Sequence, residues 1–496
     1  MTLTKAEWTQ RAAQIRIEGR AFIGGKYVPS ASGKTFAKIN PATMRSLGDI
    51  ASCDVEDVNR AVANARATFE AGHWSRMAPK ERKLRLVRFA ELVLEHREEL
   101  ALLETLDAGK PIANTYYDDI PGSANCLRWF GELIDKVYDE VAPTASNTVA
   151  MIRREPIGVV AAVVPWNFPL LMTCWKIAPI MAAGNSVILK PAEQSPLTGI
   201  RIAELAIEAG IPEGVLNVLP GFGETAGQAL GLHMDVDAVA FTGSTEVGKY
   251  FMTYSGRSNL KRVSLECGGK SPNIVLADCP DLDRAVEASA WGIFYNAGEV
   301  CSAGSRLLVE EGIKDAFFEK FERFVKTIRV GDPLDPETQM GPLVDAKHMD
   351  RVLTYVEAGK KDGATLRFGG QRIEGSDGCF VEPTMFQDVT NQMTIAREEI
   401  FGPVVSAITV KDLDDAIAIG NDTIYGLAAA VWTSDLNKAF KASAALKAGV
   451  VWINAYEAGD ITTPFGGFKQ SGFGRDKSIH AFDKYSDLKT TWFALS

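Results

Sequence analysis

Three short segments of the sequence contain side chains that could act together in nucleophilic catalysis. Cys301 follows a glycine-containing turn in Phe294–Ser302, beside small residues that would let a substrate come close. Glu266 lies on a glycine turn, and Asn167 lies between two prolines in Pro165–Pro169. A thiolate is a nucleophile, a carboxylate can act as a base, and an amide can donate hydrogen bonds to a developing anion. Because most buried cysteines are inert, these residues alone give a hypothesis and not an assignment.

Two loops have features of a nucleotide-binding site. Phe241–Lys249 follows a predicted strand and opens a helix, with Gly243 in the turn and Ser244 at the N-cap position. The free N–H groups at such a helix start suit a pyrophosphate. Lys190–Glu193 comes just after another predicted strand, where ligands gather in open α/β sheets, and Glu193 could accept hydrogen bonds from ribose hydroxyls. An ordinary capped helix and a solvated loop explain these two segments equally well.

The elements that must position these residues alternate along most of the chain. The predicted helices are 54–69, 78–103, 197–209, 314–325 and 345–360. The predicted strands are 158–165, 186–190, 214–219, 238–241, 306–310, 404–409 and 450–454. Short apolar strands joined by amphipathic helices are typical of parallel α/β sheets. We therefore expect two α/β units that meet near residue 267.

The overall composition argues against several classes of function. A chain of 496 residues is too long for one hydrophobic core, and about three domains are expected. The formal net charge of −10 argues against a nucleic-acid partner or an anionic membrane surface. No apolar stretch approaches the ~18 residues of a membrane span, and the N-terminus has no signal-peptide core. Seven scattered cysteines without a C-x-x-C pair predict neither disulfides nor a zinc site, so we expect a cytoplasmic protein without a metal.

Seven motifs in order make the chain resemble the aldehyde dehydrogenase superfamily over nearly its whole length. They are Pro165–Pro169, Lys190–Glu193, Phe241–Gly248, Leu265–Ser271, the Cys301 segment, Glu398–Pro403 and Pro464–Gly472. The resemblance implies an α/β fold with a Rossmann-like cofactor domain, an α/β catalytic domain and a small β oligomerisation arm. The NAD-binding domain would comprise 1–139 and 160–267, the catalytic domain 268–478, and the arm 140–159 and 479–496.

The resemblance also implies a mechanism. Cys301 would attack the aldehyde as a thiolate, and the Asn167 side chain with the Cys301 backbone N–H would hold the oxyanion of the thiohemiacetal. Oxidation by the nicotinamide would leave a thioester, and Glu266 would activate the water that hydrolyses it. Lys176 would assist the removal of protons.

For the cofactor, the resemblance assigns Lys190 and Glu193 to the adenosine ribose and Ser244 to the pyrophosphate. Glu399 would bind the nicotinamide ribose, with Phe401 close by. The further expected cofactor contacts are Trp166, Gly243, Val247 and Gly268. A carboxylate at position 193 would repel a 2′-phosphate, so NAD is favoured and NADP remains possible.

Segments 454–460 and 474–481 make the chain most similar to γ-glutamyl-γ-aminobutyraldehyde and 4-guanidinobutyraldehyde dehydrogenases, which serve putrescine and arginine breakdown. An apolar-aromatic substrate channel is expected from Phe168, Met172, Trp175, Tyr295 and Phe465. Negative charge near its mouth, which would suit an amino or guanidino group, is expected from Asp119, Glu457 and Asp460. Each of these acids could equally face solvent. A broad-specificity aliphatic, aromatic or betaine-type aldehyde dehydrogenase is the alternative.

Other reactions fit the residues less well. A coenzyme A-acylating enzyme would lose its thioester to the hydrolytic base Glu266. A cysteine hydrolase needs a histidine near the nucleophile, and none of the five histidines lies in a motif. Glu299, two residues before Cys301, stands where the family often has glutamine. Its negative charge could raise the pKa of the thiol, but glutamate also occurs at this position in relatives, and the sequence does not decide the effect.

The tail predicts contact with further copies of the chain. Segment 485–492 alternates polar and apolar residues like a strand. Together with 147–153 it resembles the arm of the family, which pairs across subunits and shields an open sheet edge. A homodimer or homotetramer is therefore implied.

Overall fold

The structure, a computed structural model, describes residues 3–495. The described strands are β1 (Ala21–Ile23), β2 (Lys26–Val28), β3 (Thr35–Ile39), β4 (Ser46–Ala51), β5 (Glu140–Ala142), β6 (Thr148–Pro156), β7 (Val159–Val163), β8 (Ser186–Lys190), β9 (Leu216–Val218), β10 (Ala238–Gly243), β11 (Arg262–Cys267), β12 (Pro272–Val275), β13 (Arg306–Glu310), β14 (Thr365–Phe368), β15 (Thr384–Gln387), β16 (Val404–Val410), β17 (Ala428–Trp432), β18 (Val450–Ile453), β19 (Gly472–Phe473) and β20 (Ser486–Ala494).

The described α-helices are α1 (Lys5–Ala12), α2 (Val55–Ala71), α3 (Pro79–Glu95), α4 (Arg97–Ala108), α5 (Ile112–Asn114), α6 (Ile120–Leu133), α7 (Pro169–Ala182), α8 (Leu197–Glu208), α9 (Gln228–Leu232), α10 (Thr245–Gly256), α11 (Leu282–Phe294), α12 (Lys314–Val325), α13 (Ala346–Lys361), α14 (Thr394–Arg397), α15 (Leu413–Asn421) and α16 (Leu436–Ala445). In the part of the chain that the structure describes, no helix has both the length and the apolar character needed to cross a membrane.

Two large sheets organise the molecule. The first has the strand order β19-β11-β10-β7-β8-β9-β1-β2, and its five central strands are parallel. The second has the order β14-β15-β16-β13-β12-β17-β18 and is parallel except for β14 at its edge. All side chains of β7 and β8 are buried, as expected for parallel strands covered on both faces. The predicted α/β fold class is confirmed.

Local sequence explains where the helices that frame the site begin. Asp54 caps α2 in a capping box with Asp57, and Ser244 caps α10 by accepting a hydrogen bond from the Val247 N–H at 3.2 Å. Pro169 occupies the first turn of α7, where a missing N–H costs nothing. The predicted N-cap at Ser244 is confirmed.

Most predicted elements match the structure to within two residues at each end. The exception is the helix predicted over 78–103, which is two helices, α3 and α4. His96 breaks it with φ −94° and ψ 18°, outside the helical region, and ends α3 while starting α4. The hydrophobic periodicity continues across the break, so the sequence pattern does not reveal it.

A third sheet, of order β20-β6-β5, is built from the predicted arm segments. Strand β20 pairs antiparallel with β6 of the same chain over nine residues, from Ser486 opposite Pro156 to Ala494 opposite Thr148. After β18 of the second sheet, the chain crosses back to the first sheet. There β19, residues 472–473, pairs with β11, and Gly472 lies opposite Glu266. This crossing brings the chain after residue 460 to the edge of the candidate site.

Candidate active site

A cavity of about 710 Å³ lies at the carboxyl ends of β7, β10 and β11, where parallel sheets gather their ligands. Its lining comes from strands β10 and β11 of the first sheet and from loops and helices around both sheets, and it includes Cys301, Glu266 and Asn167. Asn167 follows β7, Glu266 is near the end of β11, and Cys301 precedes β13. The three residues singled out for their chemistry therefore face one space.

The turn before Cys301 is sharply bent. Asn296 and Ala297 have left-handed backbone angles, with φ 48° and 54°, and Gly298 follows with φ 75°. A Cβ at position 298 would come within 2.2 Å of the Gly402 carbonyl oxygen, so only glycine fits there. The turn presents Cys301 at the cavity wall.

Side-chain amides tie this turn to the loop that carries Asn167. The Asn296 Nδ2 donates to the Asn167 carbonyl oxygen at 3.0 Å, and the Asn167 Nδ2 donates to the Glu299 carbonyl oxygen at 2.8 Å. The second N–H of the Asn167 amide has no acceptor among residues 3–495 and can donate into the cavity. The geometry fits a donor for an oxyanion formed at Cys301.

The thiol of Cys301 is weakly acidic in this environment. Burial raises its pKa to about 12, and the carboxyl groups of Glu457, Glu399 and Glu266 act in the same direction. Glu299 is not one of these groups. Its Oε1 accepts a hydrogen bond from the Val344 N–H at 2.9 Å, so its carboxyl is held away from the cysteine. The question that the sequence left open is answered by this geometry: Glu299 is not among the carboxyl groups that raise the pKa of the thiol most.

Glu266 is buried, and neither of its carboxyl oxygens has a hydrogen-bond partner in the described residues. Burial and the nearby Asp476 raise its pKa well above the usual range, and Lys176 offsets this only in part. A Cβ at Gly466 would lie 2.8 Å from Oε1, so the absence of a side chain there leaves room for the carboxyl. An unpartnered carboxyl with a raised pKa is suited to accept a proton.

Lys176 does not line the cavity directly; its Nζ donates to Asp476 at 2.5 Å. Asp476 does line the cavity and also pairs with Lys484 at 2.5 Å. Burial alone would raise the pKa of Asp476, but the two lysines lower it below the usual value. Sequence reasoning missed Asp476, because its segment carries no catalytic pattern and its proximity arises from the crossing of β19.

The predicted cofactor residues fall into two groups. Those that line the cavity are Trp166, Gly243, Ser244, Gly268, Glu399 and Phe401. Glu399 accepts a hydrogen bond from the Gly269 N–H at 3.0 Å, and burial raises its pKa to about 7. A Cβ at Gly268 would lie 1.9 Å from Glu399 Oε2, so this glycine makes room for the carboxyl. Val247 lies in the first turn of α10, next to this region.

Lys190 and Glu193 lie outside the cavity lining. Lys190, the last residue of β8, is buried and donates to Glu193 Oε2 at 3.2 Å. Gln194, the next residue, does line the cavity. The pair therefore lies beside the cavity, at the end of the strand that neighbours β7.

The predicted channel residues Phe168, Met172, Trp175, Tyr295 and Phe465 all line the cavity. The rings of Phe168 and Tyr295 stack with centroids 6.4 Å apart, and Trp175 meets Phe465 edge-on at 5.5 Å. Two aromatic pairs thus form apolar walls for the chain of a substrate.

The three predicted acids differ in their surroundings. Asp119 is buried and pairs with Lys110 at 2.5 Å, so the expectation that it adds charge at the channel mouth is wrong. Glu457 lines the cavity and is exposed at its opening. Asp460 is exposed, outside the lining, and accepts hydrogen bonds from the N–H and hydroxyl of Thr462 at 2.9 and 2.6 Å.

A fourth acid, Asp118, was missed. It is exposed, and its Oδ2 accepts a hydrogen bond of 3.5 Å from the hydroxyl of the channel residue Tyr295. The sequence shows two adjacent aspartates at 118 and 119, but the helical path there turns one inward and the other outward. That direction could not be read from the sequence.

Comparisons with known proteins agree with this geometry. The aldehyde dehydrogenase family model matches residues 27–491. The NADP/NAD-dependent aldehyde dehydrogenase PuuC of Escherichia coli K12 is 53% identical over 490 residues, which cover 99% of this chain and 98% of PuuC. A mutant of the P. syringae AldA indole-3-acetaldehyde dehydrogenase, solved with NAD+ and IAA, is 59% identical with a TM-score of 0.99 and full coverage of both chains.

A γ-glutamyl-γ-aminobutyraldehyde dehydrogenase from Burkholderia cenocepacia J2315 is also similar in structure. It is 56% identical, with a TM-score of 0.98 and full coverage of both chains. The family model and the relatives span almost the whole chain, and the cavity brings together the cysteine, carboxyl and amide that the reaction requires. This chain belongs to the aldehyde dehydrogenase family.

Proposed function

We propose that this chain oxidises ω-aminoaldehydes to carboxylic acids, with NAD as the preferred cofactor and NADP as an alternative. The observation that carries the proposal is one cavity whose lining combines Cys301, Glu266 and Asn167 with the aromatic channel residues and the carboxyl group of Glu457. The PuuC relative and the Burkholderia cenocepacia structure, whose names specify these cofactors and an aminoaldehyde, support it.

The covalent step takes place at Cys301. Its thiolate attacks the aldehyde carbon, while the free N–H of Asn167 and the Cys301 backbone N–H hold the oxyanion. One such donor is worth about 3 kcal/mol in the transition state. The thiol needs a base because its pKa lies near 12, and the carboxylate of Glu266 can take the proton.

The cavity residues fit a nicotinamide dinucleotide. Ser244 at the N-terminus of α10 suits a pyrophosphate, and Glu399 suits a ribose. The hydroxyl of Thr242 is buried in the lining without a partner in the described residues, as expected where a polar ligand binds. When bound, the cofactor supplies the hydride acceptor that converts the thiohemiacetal into a thioester.

Glu266 then completes the reaction. Glu266 first passes the thiol proton to solvent and becomes a carboxylate again. With its pKa raised by burial, it can then take a proton from a water molecule that attacks the thioester. Lys176 and Asp476, paired at 2.5 Å beside it, hold charges that can steady the proton as it leaves. The C–S bond breaks, the carboxylic acid is released, and the Cys301 thiolate takes up a proton to regenerate the free thiol.

Substrate selection rests on the two acids at the channel. Asp118 beside Tyr295 and Glu457 at the opening would attract a cationic group on an aldehyde whose carbon chain lies between the aromatic walls. The same walls without the acids would suit an aryl aldehyde, as the name of the P. syringae relative specifies. Oxidation of an aromatic aldehyde is therefore the second candidate function.

The experiment is an NADH absorbance assay on the purified chain. We expect kcat/KM for 4-guanidinobutyraldehyde to exceed that for an aliphatic aldehyde of equal length by about tenfold. Asp118→Asn and Glu457→Gln should each reduce this ratio severalfold, whereas Asp414→Asn, an exposed acid on α15, should not. A higher kcat/KM for indole-3-acetaldehyde would favour the second candidate. Formation of an acyl thioester on adding coenzyme A would contradict the hydrolytic role of Glu266.

We also propose that the chain acts in the cytoplasm as a homodimer or homotetramer, with the domain division stated above. Seven unpaired cysteines support a reducing compartment. The exposed apolar residues of the three-stranded arm support assembly.

A further inference from the structure

A lysine lies against one wall of the substrate channel, near the acids at its opening. The Nζ of Lys477 lies 5.4 Å from the centroid of the Trp175 ring, which lines the channel. A Cβ at Gly459 would lie 3.4 Å from the same Nζ, so the ammonium also borders the loop that carries Glu457 and Asp460. Lys477 is half-buried at this junction.

The backbone holds Lys477 in an unusual conformation. Lys477 and Ser478 both have left-handed angles, with φ 61° and 52°, which are unfavourable for residues other than glycine. Hydrogen bonds on either side fix the segment: Asp476 and Phe465 exchange N–H···O bonds of 2.7 and 2.8 Å, and the Ser478 N–H donates to Ile461 at 2.8 Å. The strain is concentrated at the residue whose ammonium lies near the ring of the channel residue Trp175.

The ammonium of Lys477 forms no ion pair among the residues that the structure describes. No carboxylate of residues 3–495 lies within 4.0 Å of it, although Asp460 and Glu457 are near enough to raise its pKa against the lowering effect of burial. Lys110, behind the same channel, is by contrast paired with Asp119 at 2.5 Å and lies 3.7 Å from the Phe168 ring centroid. One cation at the channel is neutralised, and the other is free to meet a ligand.

We propose that Lys477 determines substrate specificity by receiving a carboxylate at the far end of the aldehyde, while Glu457 receives an ammonium beside it. The substrate class is an aldehyde whose distal end is a zwitterionic amino acid. The proposal rests on the proposed function and narrows its substrate.

The charge pattern favours this class over a simple aminoaldehyde. A substrate with only an ammonium gains from Glu457 and Asp118 but is repelled by Lys477. A γ-glutamyl conjugate of 4-aminobutyraldehyde carries an α-ammonium and an α-carboxylate on one carbon, and opposite charges so close together match a lysine and a glutamate on one rim. Its amide-containing stem can lie along Trp175 and Phe465.

The test compares two aldehydes that differ in one group. One is the γ-glutamyl conjugate of 4-aminobutyraldehyde, and the other is its decarboxylated analogue, which keeps the amide and the ammonium. We expect the wild-type enzyme to favour the conjugate about tenfold in kcat/KM, mainly through KM. Lys477→Met should abolish this preference and Lys477→Arg should retain most of it, while Lys361→Met, on the exposed end of α13, should leave it unchanged.

Equal kcat/KM for the two aldehydes in the wild-type enzyme would overturn the proposal without any variant. A preference that survives in Lys477→Met would overturn it as well. Failure of the proposed function has a different signature, because both compounds would then be poorer substrates than an aliphatic aldehyde of equal length.

Discussion

The nucleophile of this enzyme is surrounded by groups that disfavour its reactive form. Burial and three carboxyl groups raise the pKa of the Cys301 thiol to about 12, so very little thiolate exists near neutral pH in the free protein. The raised pKa makes the Cys301 thiol less reactive in the free protein, so a base must remove its proton when it attacks the aldehyde.

Removing one of these charges should therefore make the free thiol more reactive. Of the three carboxyl groups, Glu457 raises the pKa of Cys301 the most. The substitution Glu457→Gln is therefore expected to lower this pKa. Because the thiolate is the species that reacts, alkylation by iodoacetamide at pH 8 should accelerate severalfold. The measurement is the modified fraction of the Cys301 peptide by mass spectrometry, without cofactor.

Glu299→Gln is the matched control for this experiment. Glu299 is nearer to Cys301 in sequence, but its carboxyl faces Val344, so the control should alkylate like the wild type. Equal acceleration in both variants would show that the charges do not act as described.

At the residue scale, the sequence predicted the catalytic residues better than it predicted which carboxyl groups face the channel. Cys301, Glu266 and Asn167 were identified from their motifs, and all three line one cavity. Side-chain direction was not accessible in the same way. Glu299 and Asp119 both point away from the channel, because backbone angles and buried partners, not sequence neighbours, decide where a carboxyl lies.

At the scale of elements, α4 supports two helices of the site. The Glu104 Oε2 accepts a hydrogen bond of 3.1 Å from the Leu170 N–H at the start of α7, and Asp107 Oδ2 accepts one of 2.8 Å from the Leu197 N–H at the start of α8. Acceptors at a helix N-terminus satisfy free N–H groups and complement the dipole. Helix α7 follows Asn167 directly, so Glu104 fixes the loop that carries it.

The contribution of Glu104 to the stability of the fold depends on pH. Burial, with Asp119, raises the pKa of Glu104 from 4.5 to about 8. Between these values the unfolded chain releases a proton that the folded chain retains, so rising pH favours unfolding. Glu104→Gln keeps the acceptor but cannot ionise. We expect its Tm to equal that of the wild type at pH 5 and to exceed it at pH 9 by roughly 2 °C or more.

Thermal unfolding followed by circular dichroism across this pH range is the measurement. Glu98→Gln, on the exposed side of α4, should follow the wild type at every pH. Some pH dependence should remain in Glu104→Gln, because burial also raises the pKa of Asp107 to about 7. A Tm difference that is constant with pH would contradict the role of Glu104.

Strands and helices with clear periodicity were predicted well, and short antiparallel pairs were not. The strands of the hairpins β1–β2 and β3–β4, in the first fifty-one residues, are three to six residues long and only partly buried. Such short strands show little alternation of polar and apolar residues for a sequence pattern to detect. Strand β19 has two residues and depends on a partner more than two hundred positions earlier in the chain. Such pairing is decided by tertiary contacts, which local sequence does not contain.

At the scale of the whole molecule, the arm is the part whose apolar surface a single chain leaves exposed. Strands β5, β6 and β20 form a three-stranded sheet, and most of β20 is exposed. Its side chains include Leu488 and Trp492, which are 60% and 62% exposed. Apolar side chains on an unprotected sheet are costly in water and usually mark an interface.

We therefore expect the wild-type enzyme to have a molar mass of two or four times 53.8 kDa by light scattering after size exclusion. Placing charges on the arm with Leu488→Glu and Trp492→Glu should shift it toward a single chain, because a buried unpaired carboxylate opposes association. Leu84→Glu, at a 54% exposed position on α3, is the control and should not change the mass. If the double variant keeps the wild-type mass with unchanged circular dichroism, subunits do not associate through the arm.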